Sequence, residues 1–480
     1  MAVRFVLNGE RIQVDDVDPH LTLLNWLRAV GRTGTKEGCS EGECGACAVA
    51  VIRRDGRGQA RYEGINSCLV PLPAVDGQSI VTVEGVAGAG AGASGELHPV
   101  QQGMIDHGGS QCGYCTPGFV VSLFCEYYRP GRGQFDPESV SGNLCRCTGY
   151  RPILDAGRAL PQPAAGDPHL AALATSPAGP SPADHTHGGR RFVRPTRLTE
   201  LFDCLAADPT ATLIGGGTDL MVRANQSYER FGTLVSLEAL PELRIFELRP
   251  QALVIGAGLS LSEIEDRLTQ EPALALADLP VLHELMRLFS SRLIRNRATL
   301  GGNLATASPI GDSLPVLLAL DAELEIAGPD GERRIAVRDF FRAYRRTALK
   351  DRELIVSVHL PRPFAAQQRF YKVSKRILDD ISTVAAAFAL DLGADGRVQR
   401  LRLAFGGIAA TPIQARALED LALGLPWTTE TLQRLLPEIA KVGTPMSDHR
   451  GSAAYRRAMT TSLLEKFFWE TAGDRGAAAP

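Results

Sequence analysis

Eight of the ten cysteines fall into two sets of four whose spacing could hold iron. The first set runs Cys39-x4-Cys44-x2-Cys47, with Cys68 further along the chain. The second runs Cys112-x2-Cys115, then Cys145-x-Cys147. The first spacing is that of a four-thiolate [2Fe–2S] ligand run. Three cysteines in so short a loop must wrap one small core. Gly38, Gly42 and Gly45 give the backbone the freedom and close approach that such wrapping needs. Structural zinc favours paired Cys-x2–4-Cys knuckles, and disulfides need an oxidising compartment, so a cluster is the better reading. The second set is less specific, and zinc stays open for it on spacing alone. Its place directly after the first set favours a second cluster, because a chain with two one-electron centres is an electron conduit. Cys125, in an apolar stretch, and Cys204 read as inert buried thiols.

Two glycine runs could cradle a diphosphate. Leu213-Ile214-Gly215-Gly216-Gly217-Thr218-Asp219-Leu220 follows a predicted strand, and its N–H groups could form a nest for an anion. The run from Thr299 through Gly301, Gly302 and Asn303 to Pro309 offers more N–H groups, hydroxyls and an amide. Either alone fits a plain tight turn; the pair is the stronger signal. A third stretch, Val254-Ile255-Gly256-Ala257-Gly258-Leu259-Ser260-Leu261, lacks the third glycine of the dinucleotide fingerprint. Gly256 and Gly258 therefore read as turn residues and Ser260 as a helix cap, so the site is not of the Rossmann type. Neither run contains His or Cys, which predicts a non-covalently held ligand.

Several elements must position these residues. Residues 3–7 and 11–14 alternate around Asn8-Gly9, a hairpin signal. Thr22 caps a helix carrying Leu23, Leu24, Trp26 and Leu27, and strands are expected at 48–53 and 79–83. With the cysteine loop, that pattern matches a β-grasp ferredoxin architecture. Residues 85–95, nearly all Gly and Ala, read as a flexible connection. Helices expected at 98–105, 119–128, 137–145 and 153–160 would bundle around the second cysteine set. Residues 161–190, rich in Pro, Ala and Gly, read as a linker. Strands then fit 211–214, 233–236, 252–255 and 323–327, and helices fit 198–207, 261–268 and 280–289. Beyond a second boundary near 362–370, strands at 383–392 and 398–405 and helices at 430–441 and 453–470 complete a tail domain.

Composition sets bounds. A chain of 480 residues should make three or four domains, and 44% hydrophobic residues is ordinary for a globular protein. A net charge of −3 gives no reason to expect nucleic acid or an anionic membrane as partner. No apolar run is long enough to span a bilayer, and the N-terminus lacks a signal peptide's features. Thiols set aside for metal then argue for the cytoplasm.

The chain resembles the small, iron–sulfur/FAD subunits of bacterial xanthine dehydrogenases, within the molybdenum hydroxylase family. The resemblance rests on the loop 36–47, Gln111 to Gly118, Gly142 to Tyr150, the glycine run 213–220 and the block 295–316. It implies an α+β multidomain chain: a β-grasp [2Fe–2S] domain (1–85), a four-helix [2Fe–2S] domain (86–160), a linker (161–190), a non-Rossmann α+β FAD-binding domain (191–365) and an α+β C-terminal domain (366–475). Residues 213–220, Thr299 and 301–303 would hold FAD. Asp312 would bind its ribose or adenine end, Phe289 would stack on the isoalloxazine, and Leu354 or Ile355 would line the pocket. Lys372 and Asp379 would lie near the flavin and the NAD site; a solvated ion pair between them is the plain alternative. The resemblance also implies that a large molybdopterin-bearing partner oxidises the substrate, because the chain leaves no room for a molybdenum domain. A heterotetramer of two small and two large subunits is expected, with NAD⁺ as acceptor and hypoxanthine or xanthine as substrate. Aldehyde or other N-heterocycle substrates, O₂ as acceptor, and a self-contained NADH reductase stay open.

Overall fold

Strand Ala48–Arg54 is buried along nearly its whole length because it is covered on both faces. Its side chains alternate between two cores, as the period of two requires. Val49 and Val51 join one apolar cluster with Leu23, Leu27 and Cys68. Ala48, Ala50 and Ile52 join another with Phe119, Phe124 and Cys145. One strand thus backs both cysteine sets.

The computed structural model describes residues 2–55, 57–88, 96–175, 179–271, 273–274 and 278–472. The chain divides into two units: Met1–Pro241 with Ser260–Asp266 and Ser290–Thr299, and Glu242–Leu259 with Arg267–Phe289 and Leu300–Pro480. The segment 191–365 contributes to both.

In the first unit a five-stranded sheet runs in the order Glu10–Val14, Val3–Leu7, Ser79–Val81, Ala48–Arg54, Ala60–Asn66. The hairpin turns at Asn8 and Gly9, both with positive φ, which is what a two-residue turn of this hand needs. Thr22 caps the helix Leu23–Ala29 by accepting from the Asn25 N–H at 3.2 Å. Strand Ala60–Asn66, which periodicity did not reveal, pairs antiparallel with Ala48–Arg54 and leads into Cys68. The second cysteine set lies among helices Pro99–Asp106, Thr116–Tyr127 and Arg151–Arg158. The expected helix at 137–145 is a single 3₁₀ turn, Pro137–Val140, started by Pro137 after the Asp136 cap.

Residues 161–190 are more than a linker. Helix Pro168–Thr175 forms, and strand Ala183–His187 pairs with Arg190–Arg194 in a four-stranded sheet. Gly85 closes a 3₁₀ turn against Asn8, where a Cβ would come 2.2 Å from Asn8 Oδ1, so flexibility does not begin there. The expected flexible residues 89–95 lie outside the described residues, as do 176–178 and 473–475.

In the second unit the sheet Phe246–Leu248, Ala252–Gly256, Leu354–Pro361, Glu323–Gly328, Gly331–Ala336 is antiparallel throughout. A nucleotide fold of the Rossmann type needs parallel strands here, so the reading of 254–261 holds. In the first unit Ser260 caps the next helix in a reciprocal box: Glu263 N–H donates to Ser260 Oγ at 3.2 Å, and Ser260 N–H to Glu263 Oε2 at 2.8 Å. In the second unit a four-stranded sheet (Gln367–Val373, Val384–Leu392, Val398–Gly406, Ile413–Gln414) packs on helices Thr429–Ile439 and Ala453–Thr471. Among the described residues no helix is long and apolar enough to cross a membrane.

Candidate functional site

The loop from Cys39 to Cys47 turns at Ser40, Gly42 and Gly45, all with positive φ. Gly38 is not left-handed as expected; its role is closeness, because a Cβ there would come 2.7 Å from Cys44 Sγ. Cys47 Sγ lies 3.3 Å from Cys68 Sγ, both buried. Cys39 and Cys44 form the other pair: the Cys44 thiol draws Cys39 down to about 5 and is itself pushed up by Cys39. Cys47 is likewise lowered by Cys68, and Cys68 raised by Cys47. The Glu41 N–H points at Cys39 Sγ from 3.5 Å, the kind of donor that tunes a sulfur ligand.

In the second set Cys147 Sγ lies 3.7 Å from Cys112 Sγ and 3.8 Å from Cys145 Sγ. Burial pushes the Cys115 thiol up to about 12. Burial also opposes ionisation of Cys145, but the Thr148 hydroxyl at 3.1 Å and its N–H outweigh it and bring the thiol to about 7. Two sulfurs bound to one tetrahedral metal at about 2.3 Å lie roughly 3.7 Å apart. The sulfur separations of 3.3, 3.7 and 3.8 Å bracket that value, so the residues fit paired thiolate ligands. Among the described residues no three His, Cys, Asp or Glu side chains surround a single-ion site. Burial raises the thiols of Cys125 and Cys204, both on partly exposed residues.

The two cysteine sets touch through the backbone. The Leu144 N–H donates to the Cys44 carbonyl at 3.0 Å. Asn143 Nδ2 donates to the Gly45 carbonyl at 3.1 Å, while Ser122 Oγ donates to Asn143 Oδ1 at 2.7 Å. Gly45 must be glycine here: besides its positive φ, a Cβ would sit 2.2 Å from the Gly142 carbonyl oxygen. The far side of the second set is open, with Cys112, Cys147 and Tyr114 exposed.

The first glycine run connects strand Thr212–Ile214 to helix Leu220–Gln226. Its middle residue is enclosed by protein. A Cβ on Gly216 would lie 1.7 Å from the Arg297 carbonyl oxygen, and Arg297 Nε donates to the Gly216 carbonyl at 3.1 Å. Gly215, Thr218 and Leu213 are partly exposed and Asp219 is exposed, so these are the parts of the run open to a ligand.

The second run is split between the units. Thr299 bridges to Ser260 in the first. In the second, Gly301, Gly302 and Asn303 form not a loop but the start of helix Leu300–Thr306. The Gly301 N–H is used by the Ala257 carbonyl at 2.8 Å, and Asn303 Oδ1 accepts from Ser313 Oγ at 2.5 Å.

Lys372 is not in a solvated pair with Asp379. Its side chain is buried and donates to Asp312 Oδ2 and to the Leu288 carbonyl, both at 2.8 Å. Ser382 Oγ donates to Asp312 Oδ1 at 2.5 Å. The structure thus gathers Asp312, Lys372 and the peptide before Phe289, a pairing invisible in sequence. Asp379 has positive φ, and its carbonyl accepts from Arg376. Phe289 is buried, as are Leu354 and Ile355, which open a central strand opposite Ala327 and Ile326.

Four family models match the chain in series. They are a 2Fe-2S iron-sulfur cluster binding domain (residues 5–72), a [2Fe-2S] binding domain (82–158), an FAD binding domain in molybdopterin dehydrogenase (187–363) and a CO dehydrogenase flavoprotein C-terminal domain (369–471). The xanthine dehydrogenase of Emericella nidulans is 33% identical over 97% of this chain and 38% of its own length. Xanthine dehydrogenase 1 of Arabidopsis thaliana is 31% identical over 96% of this chain and 39% of its own. The chain therefore spans about two fifths of the length of the curated relatives it matches. Among solved structures, a carbon monoxide dehydrogenase from Hydrogenophaga pseudoflava is 27% identical with a TM-score of 0.53, covering 60% of this chain and 96% of that one. Quinoline 2-oxidoreductase from Pseudomonas putida 86 is 26% identical with a TM-score of 0.53, covering 58% and 95%. The matched models are thus two iron–sulfur domains followed by two flavoprotein domains. The chain belongs to the molybdenum hydroxylase family, with xanthine dehydrogenases among its homologues.

Proposed function

We propose that this chain is the electron-transfer subunit of a xanthine dehydrogenase. Cys39, Cys44, Cys47 and Cys68 hold one [2Fe–2S] cluster, and Cys112, Cys115, Cys145 and Cys147 the other. Residues 213–220 and Thr299 in the first unit, and 301–303, Phe289, Asp312, Leu354, Ile355, Lys372 and Asp379 in the second, serve FAD. When bound, the clusters supply one-electron steps and FAD joins two of them into a hydride for NAD⁺. The protein supplies position: paired thiols at ligand spacing and glycine turns that admit close approach. The observation that carries the reading is the Leu144 N–H on the Cys44 carbonyl, which ties one cysteine set to the other at 3.0 Å.

The exposed residues Cys112 and Cys147 support an input end at this face. A large molybdopterin subunit packs there over residues 98–160 and oxidises hypoxanthine or xanthine, in a cytoplasmic assembly of two small and two large subunits. The test is to purify the native assembly and assay it with xanthine and NAD⁺. Urate formation with NADH supports the reading. Turnover of quinoline-like heterocycles but not purines would favour the second reading, another molybdenum hydroxylase, which the likeness to quinoline 2-oxidoreductase supports.

A further inference from the structure

The first cysteine set and the first glycine run are joined by two side chains outside every motif. Helix Leu220–Gln226 leaves the glycine run directly. Near its end, Asn225 Nδ2 donates to the carbonyls of Ser40 and Cys68, both at 2.9 Å. Gln226 Nε2 donates to the Cys39 carbonyl at 2.7 Å. Two adjacent amides therefore hold three carbonyls of the cysteine set, two of them on cysteines. At the helix's other end Gly217 lies against the residue after Cys68, where a Cβ would come 2.8 Å from the Leu69 carbonyl oxygen. Between these ends Met221 and Ala224 bury into the same apolar cluster as Cys47, Cys68 and Leu69.

A helix this short has little stability of its own and takes its position from what it packs on. The amide of Asn225 suits the task. Its two N–H donors sit on one rigid plane and reach carbonyls far apart in sequence, which no single backbone group could do. We propose that Asn225, assisted by Gln226, is a positioning residue that fixes the gap between the first cluster and the flavin, and so sets the rate at which one passes an electron to the other. This rests on the reading of the cysteine set as cluster ligands and the glycine run as flavin cradle. In the step the reduced cluster is oxidised by one electron and the flavin is reduced by one. Asn225 and Gln226 change neither charge nor bonding.

The experiment uses the intact assembly carrying Asn225→Ala, Asn225→Leu or Gln226→Ala. Iron, labile sulfide and FAD are assayed, both cluster signals and potentials are recorded by paramagnetic resonance, and cluster-to-flavin transfer is timed after flash reduction. Cofactor content, signals and potentials are expected to be retained. Transfer should slow about tenfold in Asn225→Ala, the lower end of what loss of an outer hydrogen-bond partner costs. Asn225→Leu, close in size but uncharged and without donors, should match it, and Gln226→Ala should fall between. An unchanged rate in both Asn225 variants with cofactors intact would overturn the proposal. So would loss of the cluster from all three, because the contacts would then hold the fold and not the gap. If the unaltered assembly lacked the first cluster or FAD, the underlying reading would fail before any variant was made.

Discussion

The backbone N–H of Leu144 donates to the carbonyl of Cys44 at 3.0 Å, so the residue that precedes Cys145 is bonded to a cysteine of the other set. The contact is reinforced by Asn143, which is buried and spans Ser122 and Gly45. Asn143→Ala would leave both partners unsatisfied and should cost roughly 1–3 kcal/mol. It should also alter the magnetic interaction between the two reduced clusters. Denaturant unfolding checks the first effect, and low-temperature paramagnetic resonance the second. A variant with wild-type stability and coupling would show the joint to be incidental.

Gly215 and Gly216 should respond differently to alanine. At Gly216 the new Cβ meets Arg297 backbone at 1.7 Å, which cannot swing away. Stability should fall by about 3 kcal/mol or more, the upper end of overpacking costs, and flavin loss would follow from misfolding. At Gly215 the nearest atom is Thr299 Oγ1 at 2.9 Å, on a side chain that can turn. Gly215→Ala should keep the fold and both clusters but weaken FAD binding. Flavin titration beside thermal unfolding separates the two.

Acid should weaken the fold through Glu238. Burial alone would raise its carboxyl, but Arg297, Arg53 and Arg194 around it hold it at about 2. A carboxyl depressed in the fold stabilises above its unfolded value near 4.5 and loses that contribution as pH falls from there toward 2. The shift corresponds to roughly 3 kcal/mol. Glu238→Gln should cost about 3–5 kcal/mol at neutral pH, because three arginines lose their counter-charge. It should also flatten the stability profile between pH 4.5 and 2. A profile as steep as the parent's would locate the acid sensitivity elsewhere.

His98 acts over a different window. Its Nδ1 accepts from the Val100 N–H at 3.2 Å, so the ring proton is on Nε2, facing the Tyr128 hydroxyl at 2.9 Å. Tyr128 in turn donates to Asp167 at 2.8 Å. Burial lowers the imidazole to about 4. The neutral ring is the folded form, so its contribution is complete above about 6.5 and is lost as pH falls from there toward 4. His98→Asn keeps a capping acceptor and should remove this pH dependence at a smaller cost than His98→Ala. Urea unfolding at pH 5 and pH 7.5 reads both effects.

What the sequence made legible was local. The Asn8-Gly9 turn, the Thr22 cap and the Ser260 cap each depend on residues close in the chain, and all three form. What it hid was distant. Strand Ala60–Asn66 is buried on both faces over much of its length and lacks alternation. Lys372 pairs with Asp312, sixty positions away, instead of nearby Asp379. Asn225 and Gln226 are ordinary amides at a helix end until the fold brings Cys39 and Cys68 to them. The enclosure of Gly216 by Arg297 is of the same kind, and it shows why a bulky residue there tests folding before it tests the flavin.

The most direct test of the account is the cofactor content of freshly purified protein, read together with its spectrum after reduction. The account predicts about four iron and four labile sulfide per chain, one FAD released without covalent attachment, and two distinct [2Fe–2S] signals. Cys44→Ser should remove one signal and leave the other. Stoichiometric zinc without labile sulfide would contradict the account.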